Sequence, residues 1–168
     1  MEPVYLASLV LRWMHILSAI ALMGGAFFMR YALLPAASTL DAAAHDQLRS
    51  EVRKRWAKWV MITTTFLIVS GLINVAMNEM RFQFDGPIYR MLLAVKILLA
   101  MPVFYIAMSL VGRSAVAEKM RANAEKWLTL NLVLATAIVA IGGGMRFIDR
   151  TKKAPKGEPA APAVSEQR

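Results

Sequence analysis

The sequence predicts an all-α integral membrane protein: a four-helix bundle with an amphipathic helical first loop and a disordered C-terminal tail. Three observations carry this. Of the 168 residues, 58% are hydrophobic and only 18% charged. The charges largely avoid four stretches, residues 4–29, 59–78, 88–111 and 127–148. Each is near the ~20 residues that a helix needs to cross a bilayer. What remains is too short for a second domain with its own core, so residues 1–150 read as one four-span domain and 151–168 as its tail.

The first span begins with Glu2 and no basic segment. Its apolar run also exceeds the roughly 7–15 residues of a cleaved leader, so it reads as a retained helix. It is expected to end near Arg30, with Pro35 stopping any continuation. From Asp41 the chain turns helical again, with Leu48, Val52 and Trp56 four residues apart and charges on the other face. That amphipathic segment should run straight into the second span, placing Trp56 and Trp59 at headgroup level.

Residues 81–87 alternate polar and apolar and close on Asp85-Gly86-Pro87, which predicts a short connection outside the membrane. The third span contains Pro102, which should kink it and free a backbone carbonyl. Gly112 closes that span. The following loop, with Arg113, Lys119, Arg121 and Lys126, is basic and helical in character. After Thr151 the chain is rich in Pro, Ala, Lys and Glu, the composition of a disordered tail.

Several function classes are excluded. With no cysteine there is no disulfide, thiol catalysis or cysteine-ligated metal. The chain also lacks a catalytic triad, a phosphate-binding glycine loop and a zinc motif; Gly142-Gly143-Gly144 lies inside a span and reads as a packing or flexing point. The net charge of +9 would raise nucleic-acid binding in a soluble protein. Here the basic residues, such as Arg49, Arg53, Lys54, Arg55 and Lys58, crowd beside the spans. Anionic lipid headgroups account for that placement, so the bilayer is the expected partner and nucleic acid is not. Loops one and three hold ten Lys/Arg against eight on the other side, four of those eight in the tail. The positive-inside rule therefore leans toward cytoplasmic loops one and three.

Ionisable side chains inside a span cost roughly 2.5–3.5 kcal/mol each on insertion scales and call for a reason. The first span carries Arg12 and His15, the third Lys96, the fourth Arg146, and the second Ser70, Asn74 and Asn78 on one face. At about 1.5 Å per residue, Arg12 lies about 12 Å, His15 about 16 Å and Lys96 about 12 Å into their spans. Spans one and three run parallel and spans two and four return, so Arg12, His15, Lys96, Asn74, Asn78 and Arg146 should share one half of the bilayer. The structural alternatives are that Arg12, Lys96 and Arg146 snorkel to the interface, and that the asparagines only join helices.

Functionally, a neutral imidazole at mid-membrane is a good ligand for haem iron. Its face continues through Ser18, Leu22 and Gly25, and Gly24 and Gly25 permit close approach of a helix or a flat ligand. Arg12, Lys96 and Arg146 suit the propionates of b-type haem, with Asn74 beside them. No second axial histidine is available, since His45 falls in the first loop. Methionine is an option, among Met14, Met23, Met61, Met77, Met91, Met101, Met108 and Met145. Twelve methionines also invite a copper reading, because thioethers bind Cu(I). Positive charge around the site would repel a bare cation, and an anionic porphyrin suits it better.

The run Arg12-Trp13-Met14-His15-Ile16-Leu17-Ser18-Ala19, followed by Gly24-Gly25-Ala26-Phe27-Phe28 and Pro35, resembles the first helix of copper-resistance D (CopD-like) membrane domains. Gly86-Pro87-Ile88-Tyr89-Arg90-Met91-Leu92-Leu93-Ala94-Val95-Lys96 resembles their Gly-x-x-Tyr…Leu-Leu-x-x-Lys helix start. The chain is also similar, less closely, to HemJ-type protoporphyrinogen oxidases. That similarity implies a haem-binding His15 and a functional Lys96. Where those oxidases carry a Pro-Arg pair and a following His, this chain reads Phe28-Met29-Arg30-Tyr31, so the CopD-like pattern is the better match. It implies a multi-pass protein of a bacterial inner membrane with a role in copper uptake or tolerance. The combined expectation is binding of haem b or a porphyrin through His15, for electron transfer or porphyrin oxidation, with a membrane redox partner or a second copy of the chain. A copper-handling protein using His15, or a bundle without cofactor, are the alternatives.

Overall fold

The computed structural model describes residues 3–84, 87–148 and 150–152. Helix α1 (Pro3–Phe28) passes into a π-helical turn (Met29–Leu33) and a short α2 (Leu34–Ala37). Then come α3 (Ala42–Arg81), β1 (Phe82–Phe84), α4 (Ile88–Val111), α5 (Ala115–Ala122), α6 (Ala124–Gly144), a 3₁₀ turn (Met145–Phe147) and β2 (Arg150–Lys152). Among the described residues four segments are long and apolar enough to cross a membrane: Tyr5–Ala37, Ala42–Arg81, Ile88–Val111 and Ala124–Phe147. Fold class and span count are as predicted.

The four long helices close into a ring of neighbours. Helix α1 packs most extensively on α3, and α4 on α6, while α3–α4 and α1–α6 contacts join the two pairs. Inside, Leu22, Val60, Leu67 and Ala107 form one apolar cluster, and Ala26, Leu128 and Leu132 another. The outside is as apolar as the inside: Ile20, Leu72, Leu98, Met101 and Val133 are all more than 60% exposed. Large apolar residues spread around every helix make a surface that water would not tolerate and lipid would.

Pro35 does not end the first helix. The chain widens into the π turn and Pro35 then falls within the first turn of α2, where its missing N–H costs no internal bond. The helical path stops only after Ala37, at the turn of Ser38–Leu40. Asp41 then caps α3 by accepting from the Ala44 N–H at 3.0 Å. At 40 residues α3 is about 60 Å long, twice a bilayer's apolar thickness, so its first half projects beyond the membrane as the amphipathic first loop.

Trp56 also departs from expectation. It packs inside the bundle against the Leu22–Val60 cluster while Trp59 is 59% exposed, because the Leu48–Val52–Trp56 stripe turns inward. At the opposite end, β1 and β2 pair antiparallel with Phe84 opposite Arg150. This pairing holds Thr151 and Lys152, the first residues of the predicted tail. Residues 153–168, and the Asp85-Gly86 part of the predicted turn, lie outside the described residues.

Candidate functional site

The inward face of α1 carries His15, Ser18, Leu22 and Ala26, one helical turn apart or nearly so. The inward face of α3 carries Val60, Thr63, Leu67, Ser70 and Asn74 on the same spacing. Where the two faces meet, His15 Nδ1 lies 3.0 Å from Ser70 Oγ. Ser70 is fully buried and bonds back to the Phe66 carbonyl of its own helix. A hydroxyl has a single proton. With that proton given to Phe66, the Ser70 oxygen can only accept from His15. The ring is thereby held in the Nδ1–H tautomer, and its Nε2 keeps a free lone pair.

Glycines make the approach feasible. A Cβ added at Gly71 would stand 3.2 Å from His15 Cε1, so the ring lies against bare backbone of α3. Gly142 does the same for Lys96, whose Nζ would be 3.2 Å from an added Cβ. Lys96 on α4 thus leans on α6, half-buried, and close enough to His15 to act on it electrostatically. Imidazole, hydroxyl and ammonium from three helices, with a glycine of the fourth, form one polar centre within the apolar length of the bundle.

The other residues proposed for this site are placed more loosely. Asn74 is half-buried one turn beyond Ser70. Arg12 and Arg146 are exposed on the outer surface, Arg146 in the 3₁₀ turn that follows α6. The sequence shows Ser70 as a polar residue on the Asn74 face but does not identify it as the partner of His15, and Gly71 does not stand out in it. The available signal was the Ser70-Gly71 pair itself, a hydroxyl and a bulk-free position on the face that carries Asn74.

A second region lies toward loops one and three. A cavity of about 520 Å³ opens between α2, the projecting half of α3, α5 and the start of α6, and reaches down to Leu22 and Val60. Neither His15 nor Lys96 lines it. Arg30, in the π turn, braces its side by bonding Thr129 Oγ1 at 3.0 Å and pairing with Glu125 at 3.5 Å.

A bundle of four apolar helices enclosing an imidazole and an ammonium group is a multi-pass integral membrane protein with a built polar centre. The chain belongs to the family described as predicted integral membrane protein (DUF2269), whose model matches residues 9–145 and so reaches into all four spans. Comparisons with curated proteins and with solved structures find no match.

Proposed function

We propose that this protein binds haem b or a related porphyrin at the His15–Lys96 centre and serves electron transfer or porphyrin oxidation in the membrane. The observation that carries the reading is the His15–Ser70 hydrogen bond. A histidine that ligates a metal through one nitrogen characteristically donates its other N–H to a neighbouring acceptor, which sets the ring's orientation. Here Ser70 is that acceptor, and Nε2 is the nitrogen left to bind.

The donors are of the kinds that haem takes. Lys96 would supply a cation for a propionate, and the half-buried Met14, Met77 and Met145 would supply thioether sulfur. When bound, the haem would supply one-electron chemistry. The chain's own part is to orient His15, to balance propionate charge with Lys96 and to keep water away with the apolar wall. The weaker similarity to HemJ-type protoporphyrinogen oxidases, which implies a haem-binding His15 and a functional Lys96, supports the same reading.

Copper is the weaker reading. Among the described residues no three His, Cys, Asp or Glu come together. Of the span methionines, Met61, Met91, Met101 and Met108 are 40–65% exposed, facing away from the centre.

The test is an absorption spectrum with metal analysis of protein purified in detergent from haem- and copper-replete cells. A Soret band lost in His15→Ala is the expected result. Bound copper without that band would favour the second reading, and neither would overturn both.

A further inference from the structure

We infer that the cavity at the loop end is a binding site for a single-chain anionic phospholipid, with the phosphate at its rim and the chain in its floor. No part of the haem reading enters this inference, because the two sites share no residue.

The rim is cationic beyond what its own acids balance. Arg49, Arg53 and Arg121 all line the cavity. Arg49 donates to the Arg121 carbonyl at 3.4 Å, and Arg121 donates to the Gly112 carbonyl at 2.6 Å. Arg49 is thus held against the backbone of Arg121, and the Arg121 guanidinium against the backbone at Gly112. Partial burial, then repulsion from Arg53 and Arg49, pull the Arg121 side chain below the usual arginine range, with Glu118 opposing. The cavity-lining acid, Glu125, is engaged by Arg30. Guanidinium forks are the groups best shaped for a phosphate.

The floor is of opposite character. Leu22, Ala26, Val60, Ala107, Leu110 and Leu128 line it, and its about 520 Å³ lies within the roughly 300–1,000 Å³ of sites that take small amphipathic ligands. It has room for one alkyl chain, not for the two of an ordinary bilayer lipid.

Asn131 supplies an independent sign of a ligand. It is 4% exposed, lines the cavity, and its side-chain oxygen has no hydrogen-bond partner among the described residues. Such orphaned acceptors are rare in native interiors and call for an occupant. Asn131 lies about 10 Å along α6 from its start. A hydroxyl between phosphate and chain, as a lysophospholipid carries on its glycerol, would be the donor it lacks.

Trp56 lines the same cavity and gives the readout. Trp13, Trp59 and Trp127 are replaced by Phe in the full chain, which is placed in nanodiscs of zwitterionic lipid, with helix content checked by circular dichroism. Lysophosphatidic acid brominated on its chain is then titrated in. Saturable quenching of Trp56 is expected, at least about tenfold weaker in Arg49→Gln/Arg53→Gln, since hydrogen bonds to charged groups are the costly ones to lose. Asn131→Leu, which removes the orphaned acceptor without emptying the site, should weaken it severalfold. Absence of saturable quenching, equal quenching in the arginine variant, or equal quenching by a brominated uncharged monoacylglycerol would overturn the proposal. Displacement by inorganic phosphate alone would also overturn it, by showing a site for the free ion.

Discussion

Gly24 and Gly25 are neighbours in sequence and opposites in surroundings. A Cβ added at Gly25 would overlap the Trp56 indole, whereas one added at Gly24 meets nothing within 4 Å. Replacing either by Ala in a helix gains about 1 kcal/mol of propensity. That gain is common to both, so it cancels in the comparison. What differs is overpacking, which costs typically 1–3 kcal/mol in a filled core. Trp56 packs on the Leu22–Val60–Leu67–Ala107 cluster, and moving its ring toward the cavity it lines would give up those contacts. Gly25→Ala should therefore be less stable than Gly24→Ala by about 1–3 kcal/mol. The assay is equilibrium unfolding in mixed micelles, titrated with SDS and followed by helical circular dichroism. A second arm adds Trp56→Leu, which should relieve most of the penalty and give a coupling of about 0.5–3 kcal/mol with Gly25→Ala. Equal stability of the two Ala variants, or no coupling, would refute the packing of α1 on α3 through Trp56.

Ser70→Ala should free the His15 ring from its single tautomer and cost about 0.6–1.7 kcal/mol, the range for hydrogen bonds between membrane helices. Nitrogen-15 spectra of histidine-labelled protein check it, His45 being the one other signal. Lys96→Met should raise the unfolding midpoint while weakening porphyrin binding, because it removes a costly charge from a span; a lowered midpoint would mean Lys96 is structural. Arg30→Ala should destabilise more than Glu125→Ala. Glu125 is 62% exposed and its pair is worth at most about 1 kcal/mol, whereas Arg30 also loses Thr129; the same micelle titration decides it. Lys54 holds the Glu51 carboxyl below the usual carboxylate range. Its support for α3 is thus present above that range and lost as pH falls through the depressed value. Both side chains are exposed to solvent, so the helix signal should change only in acid, and little.

The helices were legible because each long apolar run has few ways to bury its backbone polar groups in lipid other than by forming a helix. The third helix occupies 88–111 as read from the sequence. The ends were less legible. Pro35 looked like a stop because proline breaks α-helical bonding, but a π turn before it removes the conflict. Trp56 looked like a headgroup anchor because indole suits both an interface and a core, and the facing Gly25, 31 positions away in sequence, decides between them.

Composition and periodicity by themselves determined a four-span membrane bundle with a histidine and a lysine in one half of it, because hydropathy and helical rise are local properties. Which groups touch was decided only in three dimensions. Ser70 as the acceptor for His15, Gly71 and Gly142 as the surfaces on which His15 and Lys96 lie, and the outward placing of Arg12 and Arg146 depend on helix rotation and crossing. Those follow from how side chains of separate helices interlock, which no stretch of one helix encodes. The loop-end cavity belongs to the same class, since its rim and floor draw on segments as far apart as Leu22 and Asn131.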